Sequence, residues 1–280
     1  SHRLTVLAYH GVDNPDRFAR QLDYLVKYTH PVSKDEVLAA IAGRRNLPKH
    51  AVLITFDDGY RSLIDLALPM LRERDLPAIA FVVAGLLDTD IPYWWIEAEE
   101  LIRQGGTAQG FSQLNSEGFV RVLKDVSDEQ RLAALAELRQ TVPGNKIIMP
   151  QLRCQDLLTL EAAGISIGNH TLTHPCLPRC STDKIVTELA QAHERLTAAL
   201  GYAPQVFSYP NGDTDERAPQ ILLTMGYKAA FLFDHRISPF PPPDPLRISR
   251  LRVNSDTPLD RFRIIVSGLH SELHHVLNKQ

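Results

Sequence analysis

The sequence predicts an α/β protein in which parallel strands alternate with helices. Short apolar runs of the length expected for buried strands recur along the chain, and amphipathic segments separate them. This alternation is typical of a parallel sheet, because neighbouring parallel strands need a crossover connection, usually a helix. The chain has 280 residues and 44% apolar content. That is enough for one large core, so we expect a single domain over residues 1–280.

The individual elements are located by apolar runs, capping signals and turn residues. A first strand runs from residue 4 and ends in Tyr9-His10. Further strands are predicted near residues 51–55, 78–83, 165–169, 205–209, 228–233 and 249–253. Capping boxes at residues 33–36 and 127–130 open two helices, and a third helix spans about 182–200. The predicted core-facing helix positions are Val37, Leu38, Ile41, Leu132, Leu135, Leu138, Ile185, Val186, Leu189 and Leu196.

Two adjacent acidic residues follow the apolar run at residues 51–54, in the stretch T-F-D-D-G-Y that contains Asp57 and Asp58. Successive strand residues point to opposite sides, so two carboxylates at a strand end can serve different tasks. One can hold a cation while the other transfers a proton. The alternative is an Asp-Gly turn that leads into a helix.

Two histidines four residues apart, His170 and His174, follow the predicted strand at 165–169 in the stretch H-T-L-T-H-P. They can bind one metal ion from a short turn or tight loop, and Pro175 disfavours helix at His174. The spacing alone is weak evidence, since the chain contains 11 histidines. Together with an aspartate from another strand end, it gives a ligand set that suits zinc or another divalent transition ion.

Both motifs resemble those of the NodB-type polysaccharide deacetylases, carbohydrate esterase family 4, in the same order and over roughly residues 4–255. The resemblance implies a distorted (β/α)7-type, TIM-like barrel and metal-dependent removal of acetyl groups from sugars. It implies that Asp57 is the general base and that Asp58, His170 and His174 bind one divalent ion. Zinc is favoured, with cobalt or nickel as alternatives.

A third segment, V-F-S-Y-P-N-G at residues 206–212, resembles the family's F-x-Y-P-x-G variant. This implies that the backbone N–H of Asn211 faces the acetyl oxygen, and that Tyr209 and Pro210 contact substrate. A Pro-Asn-Gly turn after a strand is a compatible interpretation. The chain departs from the family at Ser208, near which many members carry an arginine.

The chain departs most from the family's motifs at the residue expected to act as general acid. Many family members have a C-terminal Leu-x-His-Asp, whereas the histidines near this C-terminus are His270, His274 and His275. The strand ending in Tyr-His resembles instead the opening of the biofilm poly-N-acetylglucosamine deacetylases, a branch in which the last strand is permuted to the front. We therefore expect His10 to be the acid, with the C-terminal histidines, or a capping or core role for His10, as alternatives.

Two further groups are candidates around the site. Arg250 is expected where a strand points to the barrel mouth, where it would pair with Asp57 and keep it ionised; a solvated surface arginine is the alternative. Residues 88–150 interrupt the alternation and are expected to shape the substrate cleft. Their aromatic residues Tyr93, Trp94 and Trp95 either line a sugar subsite or pack this insertion onto the barrel.

Composition narrows the class of protein. A net charge of −3 with scattered basic residues argues against nucleic-acid binding, and no apolar run is long enough for a membrane span. Cys154, Cys176 and Cys180 are an odd number, which argues against a disulfide framework. Free thiols and the lack of a leader-like start favour the cytoplasm; the periplasm or cell surface is the alternative if a leader was trimmed.

The expected function is hydrolytic removal of N-acetyl groups from an N-acetylated glycan, with an activated water as nucleophile. Alternatives are an O-acetyl esterase, a deacylase of a lipid-linked sugar, or a carbohydrate-binding protein that keeps the fold without turnover. The sequence does not indicate the oligomeric state.

Overall fold

The protein is described from a computed structural model that covers residues 3–111, 114–144 and 146–268. Its strands are β1 (Leu4–Tyr9), β2 (His30–Pro31), β3 (Ala51–Phe56), β4 (Ala78–Val82), β5 (Ile165–Asn169), β6 (Val206–Ser208), β7 (Ala229–Phe231) and β8 (Leu251–Arg252). They form one sheet in the order β7-β6-β5-β4-β3-β1-β8, with β2 pairing alongside β3. Every strand pairing within it is parallel, as the alternation of elements predicts.

The helices are α1 (Pro15–Tyr28), α2 (Lys34–Ile41), α3 (Leu68–Glu73), α4 (Trp94–Arg103), α5 (Ser116–Leu123), α6 (Asp128–Thr141), α7 (Cys154–Ala162), α8 (Thr182–Leu200), α9 (Ala218–Thr224) and α10 (Leu259–Ser267). Both predicted capping boxes are formed, at the start of α2 and of α6. No helix in the described ranges is long and apolar enough to cross a membrane.

The sheet curls until its two edges meet. Ile248, just ahead of β8, donates its backbone N–H to Ala230 in β7 at 2.9 Å. The same residue accepts a hydrogen bond from Leu232 N at 2.8 Å, while β8 pairs with β1 on its other side. The segment around residues 248–252 therefore closes the curled sheet into a barrel.

Strand side chains alternate between the barrel interior and the helical layer. In β3, Leu53 belongs to the interior cluster, whereas Ile54 and Phe56 pack towards the helices. The same alternation continues into Thr55 and Asp57, whose side chains both contact the buried Arg250. The period of the strand thus brings the first aspartate of the T-F-D-D-G-Y stretch to the inside of the barrel.

The insertion has a small apolar cluster of its own, built from α4, α5 and α6 around Phe119 and Leu138. Here the prediction for Leu132 was wrong: its side chain is 47% exposed, and the neighbouring Arg131 is buried instead, over the Trp94 ring. Val186 on α8, also predicted to face the core, is 43% exposed. Adjacent helical residues differ by about 100° in direction, so the buried Ile185 turns Val186 outward.

Candidate metal centre and active-site cavity

Three side chains from two strand ends converge on one point. Asp58, which follows β3, places its Oδ1 atom 3.3 Å from His170 Nε2 and 3.4 Å from His174 Nε2. All three residues are buried, and their ligand atoms lie within 4.8 Å of one another. Tetrahedral zinc with ligands at 2.0–2.1 Å requires ligand atoms about 3.3 Å apart, so this arrangement fits such an ion.

An unsatisfied polar atom supports the same interpretation. Asp58 Oδ1, the oxygen that lies nearest both imidazoles, is buried and has no hydrogen-bond partner among the described residues. A buried carboxylate oxygen without a partner is costly, and a cation is the group that satisfies it between two imidazoles. The donor set of two histidines and one carboxylate fits a divalent transition ion.

Neighbouring groups orient His170 and set the protonation of the candidate ligands. His170 Nδ1 lies 2.8 Å from the Ser208 carbonyl oxygen, which places the proton on Nδ1 and leaves Nε2 to face Asp58. Burial lowers the pKa of His174 to about 3, so this imidazole is neutral and able to act as a ligand. Burial raises the pKa of Asp58, but the neighbouring His170 and His174 outweigh it and keep this carboxyl ionised.

A buried glutamate fixes the loop that carries His174. Glu188, in α8, has no exposed surface, and its carboxylate accepts hydrogen bonds from Leu172 N (2.9 Å), Thr173 N (2.8 Å) and Thr173 Oγ1 (2.6 Å). Lys184 balances its charge at 2.8 Å. Glu188 was not predicted from the sequence, where its only signal is a charged residue on the buried face of a predicted helix.

Left-handed backbone conformations collect at this centre. Asp58 (φ 70°), Thr171 (φ 68°), His174 (φ 58°) and Asn211 (φ 57°) all adopt positive φ. Such conformations are unfavourable for residues other than glycine and persist where the surrounding structure enforces them. The hydrogen bonds of Glu188 supply part of that enforcement for the segment from Thr171 to His174.

Asp57 is held separately from the metal ligands. Arg250 Nη1 donates to Asp57 Oδ1 at 2.8 Å and Nη2 donates to Oδ2 at 2.6 Å, a two-pronged ion pair without exposed surface on the arginine. Ser208 Oγ accepts a bond from the same Nη2 at 2.7 Å. Burial raises the pKa of Asp57, but Arg250 and His170 outweigh it and bring the pKa below its ordinary value. The predicted pairing is present, and the surface alternative for Arg250 is wrong.

These groups open into a cavity of about 550 Å³ at the carboxyl ends of the strands. From the predicted set it is lined by His10, Asp57, Asp58, His170, His174, Asn211 and Trp95. The His10 ring packs edge-on against Phe233 at 5.5 Å between centroids. Lys124, at the end of α5, also lines the cavity, so the insertion contributes both an aromatic ring and a cation.

Comparison with known proteins gives the family. The family model described as polysaccharide deacetylase matches residues 44–230, which is more than half of the chain. The chain belongs to the polysaccharide deacetylase family. The poly-beta-1,6-N-acetyl-D-glucosamine N-deacetylase of Escherichia coli K12 is 39% identical over 204 residues, covering 73% of this chain and 28% of the relative. Chitin deacetylase 1 of Cryptococcus neoformans is 33% identical over 30% of this chain and 17% of its own length. The chain thus spans less than a third of the curated relatives it matches.

Solved structures confirm the barrel. Streptococcus pyogenes deacetylase PplD in complex with acetate superposes with a TM-score of 0.67 at 20% identity, covering 94% of this chain and 98% of that one. IcaB from Ammonifex degensii gives 0.66 at 22% identity, covering 96% and 98%. Both likenesses establish the fold, the distorted (β/α)7-type barrel that the resemblance implied.

Several residues that were predicted to contact substrate lie behind the cavity wall. Tyr93 donates from its hydroxyl to the Asp58 carbonyl at 3.2 Å, and Trp94 Nε1 donates to the His174 carbonyl at 3.0 Å. Both side chains are buried, so they hold the backbones of two candidate metal ligands. Trp95 alone of the three lines the cavity, with its ring 4.6 Å from the His174 ring.

The third motif, at residues 206–212, also contains both buried residues and a residue that lines the cavity. Tyr209 is fully buried and donates to the Leu246 carbonyl at 3.1 Å, and Pro210 is buried beside it. Neither lines the cavity, whereas Asn211 does, with its side-chain Nδ2 3.3 Å from Cys176 Sγ. Gly212 is required next to it, because a Cβ there would lie 2.5 Å from the Phe233 backbone nitrogen.

The cysteines and the C-terminal histidines are the remaining residues considered from the sequence. Cys154, Cys176 and Cys180 are free thiols, and the latter two are buried. His270, His274 and His275 lie outside the described residues. Phe233, which contacts His10 and stacks near Arg250 and Arg252, was missed because a single phenylalanine at a strand end carries no distinguishing sequence signal.

Proposed function

We propose that this polysaccharide deacetylase removes N-acetyl groups from an N-acetylated glycan by metal-dependent hydrolysis. The observation that carries the proposal is the pairing, within one cavity, of a candidate metal set with a second carboxylate fixed by Arg250. The name of the Escherichia coli relative supports β-1,6-linked N-acetylglucosamine as the first substrate to test.

In this proposal Asp58, His170 and His174 hold one zinc ion; cobalt and nickel are the alternatives. The bound ion would lower the pKa of a water molecule and polarise the acetyl carbonyl. Asp57 takes the proton of the attacking water, because its carboxylate lies at the cavity and is kept ionised by Arg250. Arg250 is therefore a positioning residue that fixes the orientation of the base.

Two further groups complete the proposed reaction. The backbone N–H of Asn211 donates to the oxyanion, a type of contact worth about 3 kcal/mol in acyl transfer. His10, which lines the cavity and packs against Phe233, gives a proton to the departing sugar amine. The insertion shapes the cleft through Trp95, whose partly buried ring offers an apolar face to a sugar.

The proposal is tested by acetate release from a β-1,6-linked N-acetylglucosamine oligomer before and after removal of metal. We expect activity that is lost with a chelator and restored by one equivalent of zinc. Asp57→Asn should retain the zinc and lose turnover, since Asp57 is not among the candidate ligands. A zinc-loaded, folded wild-type protein that releases no acetate from any N-acetylated glycan would refute the proposed function.

A further inference from the structure

A second cavity, which no catalytic role explains, lies beside the active-site cavity. This second cavity measures about 560 Å³ and shares Arg252, Asn254 and Asp256 with the first. It extends from there between the start of α1, which contributes Arg17, and the start of α10, which contributes Arg261. We call it the arginine groove, defined by Arg17, His235, Leu251, Arg252, Asn254, Asp256, Thr257, Pro258, Arg261 and Ile265.

The charge of this groove is unbalanced. Three guanidinium groups line it against one carboxylate, that of Asp256. Within the described ranges, no carboxylate lies within ion-pair distance of Arg17, Arg252 or Arg261, although many other arginines of the chain have such a partner. The active-site cavity differs, since Asp13, Asp57, Asp58 and Asp256 line it against Lys124 and Arg252.

Two of the three arginines make contacts that leave their charge in full. Arg17 Nη1 donates to the backbone carbonyl of Asp256 at 2.6 Å, which is a neutral acceptor. Arg252 stacks over the Phe233 ring at 5.8 Å, on the residue that also contacts His10. Helix α10 begins at the groove without a side-chain cap, so its N-terminal dipole adds to the positive potential.

We infer that the glycan bound by this enzyme carries an anionic substituent, a carboxylate or a phosphate, on a unit next to the sugar that is deacetylated. The shared wall lets one chain occupy both cavities, with its acetamido group at the metal centre and its anion among the arginines. Guanidinium groups suit both anions because their N–H groups form charge-assisted, two-pronged hydrogen bonds. This inference rests on the proposed function and names its substrate class.

The experiment compares three matched oligosaccharides: a neutral N-acetylglucosamine tetramer, the same tetramer with a phosphate at its reducing end, and a tetramer alternating N-acetylglucosamine with glucuronic acid. We expect kcat/KM for at least one anionic substrate to exceed that of the neutral one by roughly tenfold at low salt. The two anionic substrates decide between phosphate and carboxylate. Added salt should reduce the preference, because it screens exposed charges.

Substitutions of the groove arginines then test whether they cause the preference for anionic substrates. Arg252→Gln combined with Arg261→Gln should bring the ratio of anionic to neutral kcat/KM close to one. Arg261→Lys, which keeps the charge, should retain most of the ratio. Arg20→Gln is the matched control, since this exposed arginine lies on the same helix as Arg17 but lines neither cavity, and it should leave the ratio unchanged.

A binding measurement separates this inference from the proposed function. The dissociation constants of the neutral and anionic tetramers are measured on zinc-loaded Asp57→Asn protein, in which turnover is not needed. Tighter binding of an anionic tetramer, lost in the double arginine variant, would support the groove even if no acetate were released. Equal binding of all three tetramers, or a preference that survives in the double variant, would overturn the inference.

Discussion

Two regions meet at one cavity but are built on different principles: the strand ends that carry the candidate metal ligands, and the insertion at residues 88–150. The strand ends position Asp58, His170 and His174 through buried hydrogen bonds and left-handed backbone. The insertion packs around its own apolar cluster and reaches the centre through adjacent aromatic residues. From this difference we propose that the strand ends determine the chemistry, while the insertion supports them and shapes what binds.

The largest expected effect is at the strand ends. Asp58→Ala removes the only carboxylate of the candidate metal set, so zinc binding should be lost and acetate release should fall by at least about a thousandfold. Zinc content by mass spectrometry and acetate release by a coupled assay give the two readouts. Full activity with bound zinc would mean that the ligand set is wrong.

Arg250→Met tests the ion pair inside the barrel. The substitution leaves the Asp57 carboxylate buried without its partner, so the free energy of unfolding should fall by about 3–5 kcal/mol. Urea denaturation measures this loss, and zinc content should persist in the folded fraction. A change below 1 kcal/mol would show that solvent or another residue replaces the guanidinium.

A smaller effect on zinc binding is expected at Glu188, which contacts the loop of His174 but is not itself a candidate ligand. Glu188→Gln weakens the acceptor for Leu172 N and Thr173 N, so zinc affinity should fall roughly 10–100-fold through the loop that carries His174. Competition with a chromogenic chelator measures the affinity. Glu194→Gln is the matched control, because Glu194 lies exposed on the same helix, and its affinity should equal that of the wild type.

The smallest expected effects distinguish two aromatic residues of the insertion, Trp95 and Tyr93. Trp95→Ala should raise KM for the glycan several-fold, with little change in zinc affinity, because its partly buried ring lines the cavity. Tyr93→Phe should leave KM unchanged and cost about 1 kcal/mol of stability, because it removes the buried hydrogen bond to the Asp58 carbonyl. The reverse pattern would contradict the roles assigned to the two parts of the molecule.

The sequence predicted the features that depend on short-range patterns. The parallel strands and both capping boxes follow from periodicity and local spacing, whereas the roles of Asp57, Asp58, His170 and His174 were implied by the resemblance of their two motifs to a known family. The contacts that support the site could not be predicted from local patterns. Glu188 lies on helix α8, apart from the loop that it fixes. The arginine groove combines Arg17 with Arg261, which are 244 positions apart in the chain. Such pairings depend on how the barrel closes, which no local pattern encodes.

A crystal structure of the zinc-reconstituted protein, with anomalous diffraction at the zinc edge, tests the central claim most directly. We expect one strong peak bonded to Asp58, His170 and His174, with the Asp57 carboxylate paired to Arg250 and outside the coordination sphere. A peak at other residues, or a folded protein that takes up no zinc, cobalt or nickel at this position, would contradict the account.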